Sequence, residues 1–258
     1  MAEVEATVHL RVDDRVATIT LDHPPLNILD LTTMAALDRL CDELANQSDL
    51  QVIVLRGAGQ KSFCAGVDIA IHTKELIPRM IGDFHRVLRK WWNLEPLTVA
   101  AVHGHCLGGG MELASVCDLV VAESGARFGQ PEIKVGCYPP VAVALYPALL
   151  GPGRTLDLVS TGRILSAEKA EAWGFVTRLA PQGGLDLALE TLVGELTSQS
   201  AVAQRLGKKA VRRSLGEGFE RALDESERLY LEEMAATHDV EEGARAFLEK
   251  RNPVWQHR

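Results

Sequence analysis

The chain has 258 residues, 47% of them apolar and 24% charged, and a net charge of −8. That length suits one large domain or a core with an appendage, and the composition is that of an ordinary globular protein. The acidic balance argues against nucleic-acid binding, which needs a basic surface, and no apolar run reaches the roughly 20 residues of a membrane helix.

The five cysteines, at 41, 64, 106, 117 and 137, are odd in number and form no CxxC pair. They are expected to be reduced, in a cytoplasmic protein. The opening MAEVEATVHLRVDD lacks the basic-then-apolar order of a secretory leader.

VHLRVDDRVATITL (8–21) alternates apolar and polar around Asp13–Asp14, which predicts a hairpin. His23-Pro24-Pro25 breaks the pattern and starts a loop, LNILD. Asp30 or Thr32 can then cap a helix reaching Leu44, with Met34, Leu37, Leu40, Cys41 and Leu44 at helical spacing. QVIVLRG (51–57) is a short apolar strand, followed by the loop GAGQKSFCAGVDIA and a helical stretch over 69–92. LTVAAVHG (97–104) is another buried strand. A glycine triplet, Gly108 to Gly110, follows and opens a helix at MELASVCDLVV. LVVAE (119–123) reads as a strand and ARFGQPEIKVG (126–136) as an extended piece. SAEKAEAWG (166–174) is a capped helix ended by glycine. Amphipathic helices are expected over 185–197, 201–214, 219–237 and 240–250. Strands alternating with helices imply βα units and a largely parallel sheet covered on its faces, with no internal sequence repeat. We expect a core over 1–195 and a helical C-terminal module over 196–258.

Two constellations could carry chemistry. The turns at Cys64-Ala65-Gly66-Val67-Asp68 and Gly108-Gly109-Gly110 each follow a strand and precede a helix. Brought together, two backbone N–H groups such as those of Val67 and Gly109 could hold one negative oxygen; tight turning alone is the other reading of these glycines. Glu112 and Glu132 stand in apolar surroundings. In one dry pocket they would titrate as a pair, one activating water and the other delivering a proton. Surface or ion-paired roles are the alternative. RLGKKAVRR (205–213) is a candidate phosphate patch or, more plainly, a solvated helix face. GAGQKS lacks phosphate-loop spacing, and neither GxGxxG nor GxSxG occurs. His103 and His105 lack a third metal ligand at sensible spacing, so no metal is expected.

FCAGVDI (63–69), AVHGHCLGGGMELASVCDLVVA (101–122), FGQPEIKVG (128–136), TGRILSAEKAEAWGFVTR (161–178) and EGARAFLEKRNPVW (242–255), in this order, resemble the enoyl-CoA hydratase/isomerase (crotonase) family. The likeness covers nearly the whole chain. It implies an α/β crotonase (ClpP-like) fold of repeated ββα units, with a C-terminal helical module for trimerisation that also covers the active site. It further implies a homotrimer or homohexamer acting on an acyl-CoA. CoA would enter as part of the substrate, without a separate cofactor, nucleic acid or membrane partner.

Under the resemblance, Val67 and Gly109 are the oxyanion-hole donors for the thioester carbonyl. Glu112 orients and deprotonates water, and Glu132 supplies the proton. Leu26, Asn27, Ile28, Ala65, Asp68, Ile69, Gly108, Pro139 and Pro140 would contact substrate or CoA. Keeping both glutamates points to a hydro-lyase rather than to the isomerases and other family members that lack one or both. One departure stands out. Where ordinary hydratases have a glycine-rich P-G-A-G-G-T segment, this chain has CYPPVAVA (137–144), bulkier and stiffer. With the tail that starts at Leu229, this resembles the branch that hydrates cyclohexa-1,5-diene-1-carbonyl-CoA to its 6-hydroxycyclohex-1-ene counterpart. A general short-chain enoyl-CoA hydratase, a one-glutamate isomerase and a non-catalytic acyl-CoA binder are the alternatives.

Overall fold

The expected hairpin opens the chain: β1 (Val8–Asp13) and β2 (Val16–Leu21) pair antiparallel. Its turn lies one residue later than expected. Asp13 faces Val16, and Asp14 takes a φ of 50°, the left-handed conformation that aspartate tolerates. The computed structural model describes residues 7–215 and 218–256, so the leader reading of residues 1–6 lies outside them.

After the hairpin comes α1 (Leu31–Ala45), capped by Asp30 rather than Thr32, since the Asp30 carboxylate accepts from Thr33 N at 2.7 Å. Two strands and a helix then recur. They are β3 (Val52–Gly57), β4 (Ser62–Cys64) and α2 (Ile77–Trp92), then β5 (Leu97–Val102), β6 (His105–Leu107) and α3 (Gly109–Ser115). The third set is β7 (Leu119–Glu123) and β8 (Arg127–Gly129), a 3-10 turn at Pro131–Val135, and α4 (Pro140–Leu150). The chain continues through α5 (Pro152–Thr161), β9 (Ile164–Ser166), α6 (Ala167–Trp173) and β10 (Arg178–Ala180). It closes with α7 (Leu185–Thr197), α8 (Ala201–Ser214), α9 (Gly218–Glu232) and α10 (His238–Leu248).

Among the described residues these strands form two sheets, not the single sheet expected. One has the order β1-β2-β3-β5-β7-β10, parallel from β2 onward; the other is β4-β6-β8-β9, parallel from β4 to β8. Each unit gives its long strand to the first sheet and its short strand to the second. Strands of three residues are too short to carry a periodic apolar signal.

The long strands are buried on both faces. Val52 and Val54 join Val99, Ala101, Val121 and the α7 leucines 185, 189 and 192 in a smaller core. Ile53 and Leu55 point the other way, into the main core with Ala100, Val102 and Ala122, as strand alternation requires.

Several expected elements are shorter or divided. The stretch 69–92 splits into a 3-10 turn, Ile69–Ile71, and α2. The Asp68 carboxylate caps the first by accepting from Ala70 N, and Pro78 fits the first turn of the second. The stretch 126–136 is extended only over β8, because Pro131 begins the 3-10 turn. The stretch 219–237 ends at Glu232, and Thr237 caps α10 instead. The basic run is not merely a solvated face. Lys208 and Arg212 reach Asp118 at 2.7 and 2.8 Å, and Arg205 donates to the Ser48 and Leu50 carbonyls. Among the described residues no helix is long and apolar enough to cross a membrane.

Candidate active site

The second sheet positions the glycine-bearing turns. β4 and β6 are parallel neighbours, so the turn after Cys64 and the turn after Leu107 lie side by side. Gly108 has a φ of 52°, and a Cβ there would stand 2.6 Å from a Glu132 carboxylate oxygen. A Cβ on Gly109 would meet the Val67 side chain at 2.8 Å. The two turns expected to converge therefore touch.

Both candidate donors are placed to point away from the protein's own hydrogen bonding. Leu29 and Val67 form an isolated parallel bridge whose bonds run from Leu29 N to Gly66 O and from Asp68 N to Leu29 O. The Val67 N–H stands outside that bridge. Gly109 is the first residue of α3, where no preceding turn supplies a carbonyl.

Glu112 lies one turn into α3 and is 3% exposed. Its Oε1 accepts from Val141 N at 2.9 Å and Ala142 N at 3.0 Å, in the first turn of α4. Burial pushes its pKa up to about 7, and those two N–H groups restrain the rise. Glu132 sits at the start of the 3-10 turn. The residue is half-buried and lines a cavity. Burial pushes Glu132 well above the usual carboxylate range, and the Glu112 charge adds to the rise. The two titrate together, and burial with their mutual repulsion makes the pair hold on to a proton, more strongly at Glu132 than at Glu112.

A cavity of about 410 Å³ joins these groups. Leu26, Ala65, Val67, Ile69, Gly108, Gly109, Glu112, Glu132, Pro139 and Pro140 all line it. Asn27, Ile28 and Asp68 are not in that wall. Asn27 is buried with its side chain fully engaged, donating to the Ala58 and Ser62 carbonyls and accepting from His23 N. Asp68 is the cap described above.

Other residues came without a sequence signal. α2 supplies Met80, Ile81 and Phe84 to the wall, α9 supplies Tyr230, and α10 supplies Phe247. The Tyr138 hydroxyl donates to Ser226 O at 2.8 Å, a contact between residues 88 apart. Its ring also meets Tyr230 edge-on, with centroids 5.3 Å apart. The divergent stretch 137–144 is thus both wall and support: Cys137 to Pro140 line the cavity, and the next two residues hold Glu112.

Gln130, inside the FGQPE motif, is another such residue. It is fully buried, with one end of its amide 2.7 Å from the Tyr146 hydroxyl and the other 3.1 and 3.2 Å from the two Glu132 carboxyl oxygens; with the nitrogen on the Glu132 side, both ends of the amide have a complementary partner. Among the described residues no group of three His, Cys, Asp or Glu side chains converges so as to hold a metal ion.

Known proteins resemble the chain over nearly its whole length. The family model for enoyl-CoA hydratase/isomerase matches residues 11–258. A probable enoyl-CoA hydratase of Mycobacterium bovis is 36% identical over 258 residues, covering 98% of each chain. A cyclohexa-1,5-dienecarbonyl-CoA hydratase of Thauera aromatica is 32% identical over 253 residues, covering 97% of this chain and 96% of the relative. The crystal structure of an enoyl-CoA hydratase from Mycobacterium avium subsp. paratuberculosis superposes with a TM-score of 0.87 at 26% identity, over 97% of this chain and 99% of that one.

Proposed function

The chain belongs to the enoyl-CoA hydratase/isomerase family and has the crotonase fold, and from that premise we propose that it is a hydro-lyase adding water to the conjugated double bond of an enoyl-CoA thioester. The observation that carries this reading is the pair Glu112 and Glu132 in one cavity beside two free-standing backbone N–H groups. An isomerase needs one carboxyl to carry a proton between carbons. Hydration needs a base for water and an acid for carbon.

The steps follow from the geometry. The N–H groups of Val67 and Gly109 receive the thioester oxygen and polarise the conjugated system, which makes the β-carbon electrophilic. Ionised Glu112, held by Val141 N and Ala142 N, takes a proton from water as the water oxygen bonds to that carbon. The electron pair of the double bond moves to the enolate, whose charge rests on the oxyanion hole. Glu132 then gives its proton to the α-carbon, and return of the proton from Glu112 to Glu132 resets the pair.

We further propose that the acyl group is cyclic, cyclohexa-1,5-diene-1-carbonyl-CoA, with the hydroxyl entering at ring carbon 6. The stiff segment 137–140 in the wall and the likeness to the Thauera enzyme support this substrate. CoA enters as part of the substrate, with no other cofactor. A homotrimer or homohexamer, held by the module from residue 196 onward, and a cytoplasmic location complete the proposal.

The test is to incubate the protein separately with crotonyl-CoA and with the cyclic dienoyl-CoA. Loss of the conjugated-thioester absorbance and the products are followed. Hydration of crotonyl-CoA alone sinks the cyclic substrate, and double-bond migration without hydration favours an isomerase. Binding without turnover of either points to a non-catalytic acyl-CoA protein. Glu112→Gln and Glu132→Gln are each expected to lower turnover at least about 100-fold, and near-normal activity removes that residue from the mechanism.

A further inference from the structure

We propose that Tyr146 is a positioning residue for the acid: its hydroxyl locks the Gln130 amide so that the amide nitrogen faces the Glu132 carboxyl. This role rests on the hydratase reading of the same site. Gln130 is fully buried, with one end of its amide 2.7 Å from the Tyr146 hydroxyl and the other 3.1 and 3.2 Å from the two Glu132 oxygens. Both Glu132 oxygens stand within reach, so an NH2 end finds an acceptor there whether the carboxyl is protonated or ionised, whereas a carbonyl end is served only by the protonated form. The amide carbonyl then faces Tyr146, whose O–H donates to it. In this orientation the amide NH2 has the Glu132 oxygens as acceptors and the amide oxygen has the Tyr146 hydroxyl as donor.

The consequence is directional. An N–H donated to Glu132 stabilises the carboxylate left behind after the proton has gone to carbon. With the amide reversed, a carbonyl oxygen would face that carboxylate and oppose proton release. The Tyr146 hydroxyl, whose partner is the Gln130 amide, adds to the preference set by Glu132, because only the amide oxygen can accept the phenol proton. The Tyr146 ring is itself fixed, buried and edge-on to Phe175 at 5.8 Å.

Tyr146 also lies on α4, whose first turn donates to Glu112. One helix thus governs both carboxyls, the base through its backbone and the acid through a side chain two contacts away. The other titratable groups in the same cavity wall are Glu112 from α3, His72 after the first 3-10 turn, His85 on α2, Lys134 on the turn of Glu132 itself, and Cys137, Tyr138 and Tyr230. None of them reads the orientation of the amide.

The decisive variant is Tyr146→Phe in the full chain, which keeps the ring and removes the donor. On whichever thioester the parent hydrates, kcat is expected to fall about tenfold with KM nearly unchanged. The alkaline limb of kcat/KM is expected to move up by as much as roughly one pH unit, because Glu132 holds its proton longer. Gln130→Met is expected to do the same. The double variant should be no slower than Gln130→Met alone, because Tyr146 acts only through the amide. An unchanged kcat and pH limb in Tyr146→Phe, or losses that multiply in the double variant, overturn the role. Infrared titration of the protonated carboxyl band in substrate-free protein reads the same upward move without turnover. If the parent hydrates neither thioester, the reaction assignment falls, while the infrared titration still decides whether Tyr146 governs Glu132. Should Tyr146→Phe not fold, Tyr146→Met, also without a hydroxyl, carries both measurements.

Discussion

Glu112→Gln should stabilise the protein at alkaline pH while abolishing its proposed activity. The carboxyl is buried and its pKa stands at about 7, against an ordinary 4.5. The folded state therefore holds a proton that the unfolded state has already released between those values. Stability contributed by this group is present at low pH and is lost as pH rises from about 4.5 through about 7, the reverse of an ion-paired carboxylate. A move of about 2.5 pH units corresponds to roughly 3 kcal/mol once both states are ionised. Glutamine keeps a carbonyl oxygen for Val141 N and Ala142 N and never ionises. We expect the variant to exceed the parent by up to about 3 kcal/mol at pH 8, and by less than about 0.5 kcal/mol near pH 4.5. Urea denaturation of both proteins at matched concentration measures this, the matching being needed because any assembly adds concentration-dependent stability. A difference that stays flat between the two pH values, or a variant less stable at pH 8, refutes the reasoning.

Gly108→Ala places a Cβ at a backbone φ of 52° and 2.6 Å from the Glu132 carboxylate. We expect kcat to fall about 100-fold by displacing the acid, with a stability loss of about 1–3 kcal/mol, read by steady-state kinetics alongside thermal melting. Asp118→Asn acts far from the chemistry. The Asp118 carboxylate accepts from Thr98 N and pairs with both Lys208 and Arg212, its side chain only 13% exposed. Its loss removes the carboxylate partner of two cations with largely buried side chains, leaving Lys208 on Pro96 O and Arg212 on Val116 O and the Trp92 ring, and should cost about 3–5 kcal/mol in denaturant unfolding, while kcat of the folded enzyme stays within about twofold.

The parts of the fold legible in the sequence are those whose signal is local. VIVLRG, LTVAAV and LVVAE are apolar runs bounded by polar or glycine residues, and they became β3, β5 and β7. The helices 185–197 and 201–214 carry their own periodicity and occur where it predicts. The second sheet was illegible because HCL or RFG, three residues long, has no period to detect. Within the site, the glycine turns and two glutamates announced themselves as residue types out of place in apolar surroundings. Tyr230, Phe247 and Phe84 did not, because an aromatic in an amphipathic helix reads as core wherever it points. Asn27 shows the converse. Expected from the family resemblance to contact CoA, it is a bracket between Ala58, Ser62 and His23 and does not line the cavity.

The segment 137–144 joins two properties that could have been separate. Pro139 and Pro140 line the cavity that holds both glutamates, and they are also the entry to α4, where proline's fixed φ suits the first helical position. The residues that follow at once, Val141 and Ala142, donate to the base. A glycine-rich entry would leave those two N–H groups on a looser backbone, and each loses directional strength as its geometry spreads. The proline pair therefore shapes the cavity wall and stiffens the cradle of Glu112 in one step. Tyr138 ties the same entry to α9 through Ser226 O. In the proposed reaction, substrate shape and the basicity of Glu112 are set by one short stretch of backbone. A change that enlarges the cavity there also changes how firmly the base is held.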